Sequence, residues 1–284
     1  MKDRIQDLFS IEGKRIAVTG AGGILYGSIC RALAANGAKV ALLDIAGDKV
    51  EEAAKSIREA GGEAIAITCS VLDEKSMEAA RGTVVEAFGG CDALINGAGG
   101  NRKGACVPVD GDFTNLALEE LDKVFELNYK GTVLPTQVFC RHFARVGKGS
   151  VINTSSMSAL APLTNVAGYS NAKAAVTNFT RWLAVQVKVD FPKADIRVNE
   201  IAPGFFDTTQ NHHLLFEADD TTLTKRGHSI VAHTPMDRFG DPSELVGPII
   251  LLLSDAGSFL HGVTLNIDGG FSAYSGVGPL DEKR

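Results

Sequence analysis

Seven short runs of apolar, mostly β-branched residues punctuate the chain: 15–19 (RIAVT), 39–43 (KVALL), 64–68 (AIAIT), 93–96 (ALIN), 150–153 (SVIN), 196–201 (IRVNEI) and 263–267 (VTLNI). None alternates strictly between apolar and polar, which is the pattern of strands covered on both faces. Between them lie 25–36, 49–60, 75–88, 118–146 and 169–190, each of helical length. Strands joined through such crossovers run parallel, so the alternation predicts an α/β fold, a doubly wound parallel sheet of Rossmann type. The apolar run 246–253 (VGPIILLL) is far too short for a bilayer and reads as a buried helix.

No repeat, low-complexity tract or linker divides the 284 residues, so 1–284 is read as a single domain. One stretch breaks the alternation. Residues 205–239 show no clear strand and are predicted to form a lid-like insertion before the last helix and strand, followed at 271–284 by a C-terminal tail. The 28 Lys and Arg against 34 Asp and Glu give a net charge of −6, which argues against a nucleic-acid partner. The start, MKDRIQDLFSIEGK, lacks the uninterrupted apolar run of an export signal. With no membrane segment and five cysteines without a CxxC pair, the expectation is a cytoplasmic protein with free thiols. No Cys/His cluster has metal-ligand spacing, so no metal is expected.

The stretch 18–27 (VTGAGGILYG) follows the first strand and opens the first helix. Glycines there let the backbone approach a pyrophosphate, and the helix N-terminus offers free N–H groups. Asp44 ends the second strand, where a carboxylate accepts hydrogen bonds from adenosine ribose hydroxyls; an Asp capping a turn is the plainer reading. It would repel a 2′-phosphate, and Ile45, Ala46 and Gly47 supply no basic partner, which favours NAD over NADP. Further along, Tyr169 and Lys173 stand at i and i+4 on one helix face, with Ser156 upstream just past a strand end and Asn128 in the helix between the fourth and fifth strands. All fall at or beyond the carboxyl ends of parallel strands, where open α/β sheets bind ligands.

With these residues in view, the chain from about Leu8 to Val277 resembles the short-chain dehydrogenase/reductase family. The carriers are the glycine loop, NGAG at 96–99, Asn128 in LNYKG, the set Ser156, Tyr169 and Lys173, and PGFFDT at 203–208. The resemblance implies an NAD-dependent oxidoreductase acting on a CH–OH group. Tyr169 would be the proton donor or acceptor, Lys173 its cationic neighbour and Ser156 the anchor of the substrate oxygen. Asn128 would hold a water that leads from Lys173 to solvent. The implied cofactor contacts are Gly20, Gly22, Gly23, Leu25, Gly27, Asp44, Ser70, Val71, Asn96, Gly97, Ala98, Tyr169, Lys173, Pro203, Gly204, Phe206 and Thr208.

Three departures from the family pattern stand out, at four positions. Ile24 and Tyr26 stand where glycines are usual, Ser70 where an Asp often contacts adenine, and Gly97 where a second Asn is usual. Outside the shared motifs, 95–101 (INGAGGN), 131–139 (GTVLPTQVF), APGFF with TxQN in 202–211, 232–240 (AHTPMDRFG) and 268–277 (DGGFSAYSGV) resemble the D-mannonate oxidoreductase (fructuronate reductase) subgroup, whereas RKGACVPV after Asn101 does not. A sugar acid needs amides, hydroxyls and a cation, so the expected substrate residues are Asn101, Arg102, Ser156, Gln210 and Asn211. The alternatives are another sugar acid or polyol, as in a gluconate 5-dehydrogenase, and a non-catalytic dinucleotide-binding regulator. Tetramers are the family habit, and a homotetramer is expected here because Val176, Trp182, Val185 and Val189 lie partly outside one core-facing stripe of their helix.

Overall fold

The computed structural model describes residues 4–108, 110–208 and 212–277. In chain order the helices are α1 (Ile5–Leu8), α2 (Ile24–Ala35), α3 (Gly47–Glu59), α4 (Glu74–Phe88), α5 (Leu118–Phe125), α6 (Gly131–Val146), α7 (Ala167–Asp190), α8 (His212–Leu215), α9 (Lys225–His233) and α10 (Val246–Leu253). The strands are β1 (Arg15–Thr19), β2 (Lys39–Asp44), β3 (Glu63–Thr68), β4 (Ala93–Asn96), β5 (Lys148–Thr154), β6 (Asp195–Pro203) and β7 (Thr264–Ile267). They form one sheet in the order β3-β2-β1-β4-β5-β6-β7, with every pair parallel.

The continuous apolar runs are explained by two buried layers. Ile16, Val18, Val40, Leu42, Ile95 and Ile152 meet α2, α3 and α10 on one face, through Ile29, Leu33, Ile57, Ile249 and Leu252. The alternate residues Ala17, Ala41, Leu43, Leu94, Val151 and Val198 meet α4, α6 and α7 on the other, through Met77, Val84, Phe139, Phe143 and Val187. The chain leaves β1 toward β2 and β3, then returns to place β4 on the opposite flank of β1. That reversal opens a crevice beyond the carboxyl ends of β1 and β4, where a doubly wound sheet binds its ligand.

Four features differ from the sequence reading. Segment 118–146 is one continuous rod but not a regular α-helix: a π-helical turn, Glu126–Lys130, joins α5 to α6. Such an insertion shifts the apolar stripe by one residue at that point, while each side still reads as helix, so the overall period does not reveal it. Strands β5 and β6 run past their apolar runs into polar residues paired by the sheet ladder. Segment 205–239 carries helices α8 and α9, and Leu215 and Ile230 in them are buried. On α7, Val176 is fully buried, on a side it shares with Ala172 and with Phe179, whose ring meets Tyr129 of the π-turn. Trp182, Val185 and Val189 are 55%, 68% and 66% exposed.

Candidate active site

The phosphate loop is shaped by backbone demands. Gly20 has φ +71, and a Cβ there would sit 2.6 Å from the Ala98 nitrogen and 2.7 Å from the Gly97 carbonyl, so only glycine fits. Gly23 caps α2 without a side-chain hydrogen bond, leaving N–H groups of the first turn to face the crevice. Asp44 accepts hydrogen bonds from the nitrogens of Gly22 at 3.0 Å and Ala46 at 2.9 Å. Its carboxylate is therefore both a turn cap and a fixed acceptor at the end of β2.

One cleft of 780 Å³ gathers most of the expected cofactor residues: Gly20, Gly22, Gly23, Leu25, Asp44, Ser70, Val71, Gly97, Ala98, Tyr169 and Lys173 line it. Others stand elsewhere. Gly27 lies inside α2 and Asn96 is buried behind the wall, its amide donating to Thr136 Oγ1 at 2.8 Å and Asn153 Oδ1 at 2.9 Å. Pro203 ends β6, and Gly204, Phe206 and Thr208 follow it.

Two of the sequence departures turn out to be one. A Cβ on Gly97 would lie 2.5 Å from the Tyr26 ring, so the large residue at 26 occupies the space that the missing side chain at 97 leaves. Tyr26 is buried, and its hydroxyl is hydrogen-bonded to Thr154 Oγ1. Close helix–strand packing, the usual reason for a glycine at the end of such a loop, is achieved here from the strand side.

Ser156 follows β5 and caps the short turn Met157–Ala159, accepting from the Ser158 nitrogen at 3.2 Å. The half-buried Tyr169, in the first turn of α7, is hydrogen-bonded to Ser156. Burial raises the Tyr169 pKa above the ordinary phenol value, and the Ser156 bond opposes the rise. One turn on, Lys173 is 3% exposed and donates to the Thr154 carbonyl at 2.9 Å, with its Nζ 5.6 Å from the Tyr169 ring centre. Burial pushes its pKa down to about 8, and the Glu200 carboxylate works against that fall.

Asn128 sits in the π-turn with its side-chain amide fully engaged. Nδ2 donates to Gly100 O at 2.7 Å and Val124 O at 2.8 Å, while Oδ1 accepts from Gly100 N at 3.1 Å. The side chain thus clamps the loop after β4. A Cβ on Gly99 would come within 2.6 Å of Asn128 Oδ1 and 3.2 Å of Lys173 Nζ, so this loop must pass as bare backbone.

The expected substrate residues fare differently. Asn101 donates to Cys106 Sγ at 3.3 Å, and Arg102 is paired with Glu120 of α5 at 3.0 Å, turned to a neighbour in its own protein. Gln210 and Asn211 lie outside the described residues. His212 beside them approaches Asp207 at 2.9 Å and stacks on Phe216 at 4.5 Å. Three stretches that carried the subgroup resemblance meet beyond the ends of β6 and β7: Phe206, Met236, Arg238 and Asp268 border a 70 Å³ cavity. Sequence reasoning missed Tyr26 and Glu200 as partners of the site. A lone glutamate inside an apolar strand run was the available signal for Glu200.

Among the described residues no helix is long and apolar enough to cross a membrane. A family model described as enoyl-(acyl carrier protein) reductase matches residues 22–272. An uncharacterized oxidoreductase of Haemophilus influenzae is 44% identical, over 94% of this chain and 96% of its own. The 5-keto-D-gluconate 5-reductase of Escherichia coli K12 is 32% identical, over 94% of this chain and 98% of its own. A crystal structure from Haemophilus influenzae with bound NAD, provisionally called a D-mannonate oxidoreductase, is 42% identical with a TM-score of 0.86, covering 94% of this chain and 98% of that one.

Proposed function

Because the chain belongs to the short-chain dehydrogenase/reductase family and its relatives are oxidoreductases, we propose that it interconverts D-mannonate and D-fructuronate with NAD. The observation that carries the chemistry is the joining of Tyr169 and Lys173 in one cleft with Asp44, with Ser156 hydrogen-bonded to Tyr169.

The residues present fit the dinucleotide. The bare backbone at Gly20 and Gly23 and the open first turn of α2 suit a pyrophosphate, and the Asp44 carboxylate suits two ribose hydroxyls while opposing a 2′-phosphate. Bound there, the nicotinamide supplies the hydride acceptor or donor. Tyr169 gives its proton to the carbonyl oxygen in reduction and takes one from the hydroxyl in oxidation. A phenol near pKa 10 must lose about three units to act as a base near neutral pH, or about 4 kcal/mol. A unit charge at ~4 Å supplies about that much at an effective dielectric near 20. Lys173, 5.6 Å from the ring centre, would supply part of that charge together with the oxidised nicotinamide, and Ser156 holds the reacting oxygen against the Tyr169 hydroxyl. Asn128 keeps the loop at Gly100 in place. With its amide engaged, a water leading from Lys173 to solvent would rest on main-chain groups.

The sugar-acid reading draws on the 42% identical NAD-bound structure and on the convergence of residues 206, 236, 238 and 268 at one small cavity beyond the ends of β6 and β7. A second reading, 5-keto-D-gluconate reduction, draws on the Escherichia coli relative. Mixing protein and NADH with D-fructuronate or 5-keto-D-gluconate, and following the nicotinamide absorbance, separates them. Faster turnover of fructuronate is expected. Turnover of 5-keto-D-gluconate alone establishes the second reading, and turnover of neither overturns both. The exposed Trp182, Val185 and Val189 on α7 support a homotetramer, and light scattering at the monomer mass would refute it. Segment 205–239 is read as a lid over the substrate side.

A further inference from the structure

Glu200 lies on β6 with no exposure to solvent, an unusual place for a carboxylate. Three neutral hydroxyls surround it. Thr264 Oγ1 on β7 donates to Oε1 at 2.7 Å, Thr180 Oγ1 on α7 lies 3.1 Å from Oε2, and Thr177 on α7 adds a third hydrogen bond. Hydroxyls satisfy the lone pairs of a carboxylate but not its charge, and a buried charge without an opposite partner is costly. Lys173, Thr177 and Thr180 recur at i, i+4 and i+7, so they share the face of α7 that meets the sheet. Ser155 at the end of β5 links them, reaching the Lys173 carbonyl at 3.1 Å and Thr177 Oγ1 at 2.6 Å. Lys173 therefore stands on the same side of α7 as the threonine that holds Glu200, with Thr177 between them tied through Ser155 to the Lys173 main-chain carbonyl. The network continues from Thr180 through Asn153 to Asn96.

The other ionisable groups around this network are few. On α7 itself Tyr169 precedes Lys173, and the exposed Arg181 acts on Glu200 from the solvent side. From α2 the buried Tyr26 phenol faces Tyr169. From β5 come only Thr154, Ser155 and Asn153, and from β7 only Thr264. Lys173 is thus the buried cation of this region among the described residues, and Glu200 its buried anion.

We propose that Glu200 is a positioning residue, the internal counter-ion that keeps Lys173 charged, acting across the Thr177 turn of α7. It touches neither cleft nor substrate. The proposal rests on the reading of Lys173 as the cation that tunes Tyr169. It explains how that cation persists in a buried position, where its titration falls to about 8 even with the anion present. Without Glu200, Lys173 would be partly neutral at working pH and Tyr169 would lose its electrostatic support.

The test reads Lys173 directly and needs no substrate. Protein labelled with carbon-13 at lysine Cε is titrated by NMR, and the Lys173 resonance is the one missing from Lys173→Met. In the native chain it is expected to titrate near pH 8, and in Glu200→Gln, which keeps shape but removes charge, about one unit lower. Thr264→Val removes one donor from the carboxylate and should move the midpoint the same way by less. A folded Glu200→Gln protein with an unmoved Lys173 midpoint overturns the proposal. Should that variant fail to fold, an unmoved midpoint in Thr264→Val overturns it instead. A merely structural glutamate would change melting temperature and leave the midpoint alone. Failure of every sugar acid to turn over would remove the substrate reading without touching this result.

Discussion

The two ends of the site are built on different principles. At the cofactor end, from the loop after β1 to the end of β2 and the loop after β4, position is set by main chain: a positive φ at Gly20, bare backbone at Gly97 and Gly99, and N–H groups held by Asp44. At the end proposed for the substrate, position is set by side chains paired with one another, Arg102 with Glu120, His212 with Asp207 and Arg238 with Glu244. Backbone requirements leave few residue choices, whereas a pair of charged side chains can be exchanged for many others. Chemistry and cofactor class are therefore constrained far more tightly than substrate.

The largest effect should come where the two ends meet. Tyr169→Phe keeps the ring and removes the transferable proton, so kcat should fall by at least about 100-fold with NADH affinity unchanged. Retention of more than about a tenth of native kcat would remove Tyr169 from the acid–base role. Next comes the fit between Tyr26 and Gly97. Gly97→Asn should destabilise the fold by about 1–3 kcal/mol through overpacking, and adding Tyr26→Gly should recover most of the loss. Strictly additive losses in denaturant melts would show that the two positions are independent.

Asp44→Ala should narrow the kcat/KM preference for NAD over NADP by about tenfold, since a hydrogen bond to a charged group is lost on one side and a repulsion on the other. Equal use of both cofactors by the unaltered protein would already refute the role given to Asp44. On the substrate side, Asp207 holds the His212 pKa above its ordinary value. A raised folded-state pKa means that the stabilisation is fully present below the unfolded value near 6.5 and is lost as pH rises through the folded one. Hydrogen exchange in α8 and α9, corrected for intrinsic rate, should quicken from pH 6 to 8 in the native chain and not in His212→Gln. Added NAD and substrate should slow exchange across 205–239; unchanged protection would make that segment a static cover. The smallest effect is expected from Arg102→Ala, a change in KM of less than about fivefold, because its exposed pair with Glu120 is worth about 1 kcal/mol at most. A larger rise in KM would return Arg102 to the substrate.

Much of the frame was legible because the rules behind it are local. Apolar runs of strand length, glycines at a strand-to-helix turn and the Tyr169–Lys173 spacing each express a constraint within a few residues. What stayed hidden depends on contacts between distant segments. Tyr26 and Gly97 were both visible as oddities, yet only the packing of α2 on the end of β4 shows that each requires the other. Asn96 read as a cofactor contact because its motif stands beside the cleft, but its side chain points into the buried network. Val176 read as partly outward because a helix of 24 residues offers several faces, and α7 buries one side on the sheet and another toward α5 and the π-turn.

The π-turn at Glu126–Lys130 also determines what this chain can tolerate in its later history. On its N-terminal side α5 packs on α7, while on its C-terminal side α6 packs on α4 and the sheet. The wider turn sets the rotational phase between those two contacts, so they are met by one continuous rod. Deleting a single residue there would restore regular α-helical winding and rotate one half by about 100° against the other. Asn128 would swing off Gly100, and the apolar stripe of α5 would leave α7. A gap of one residue at this place should therefore be hard to accommodate.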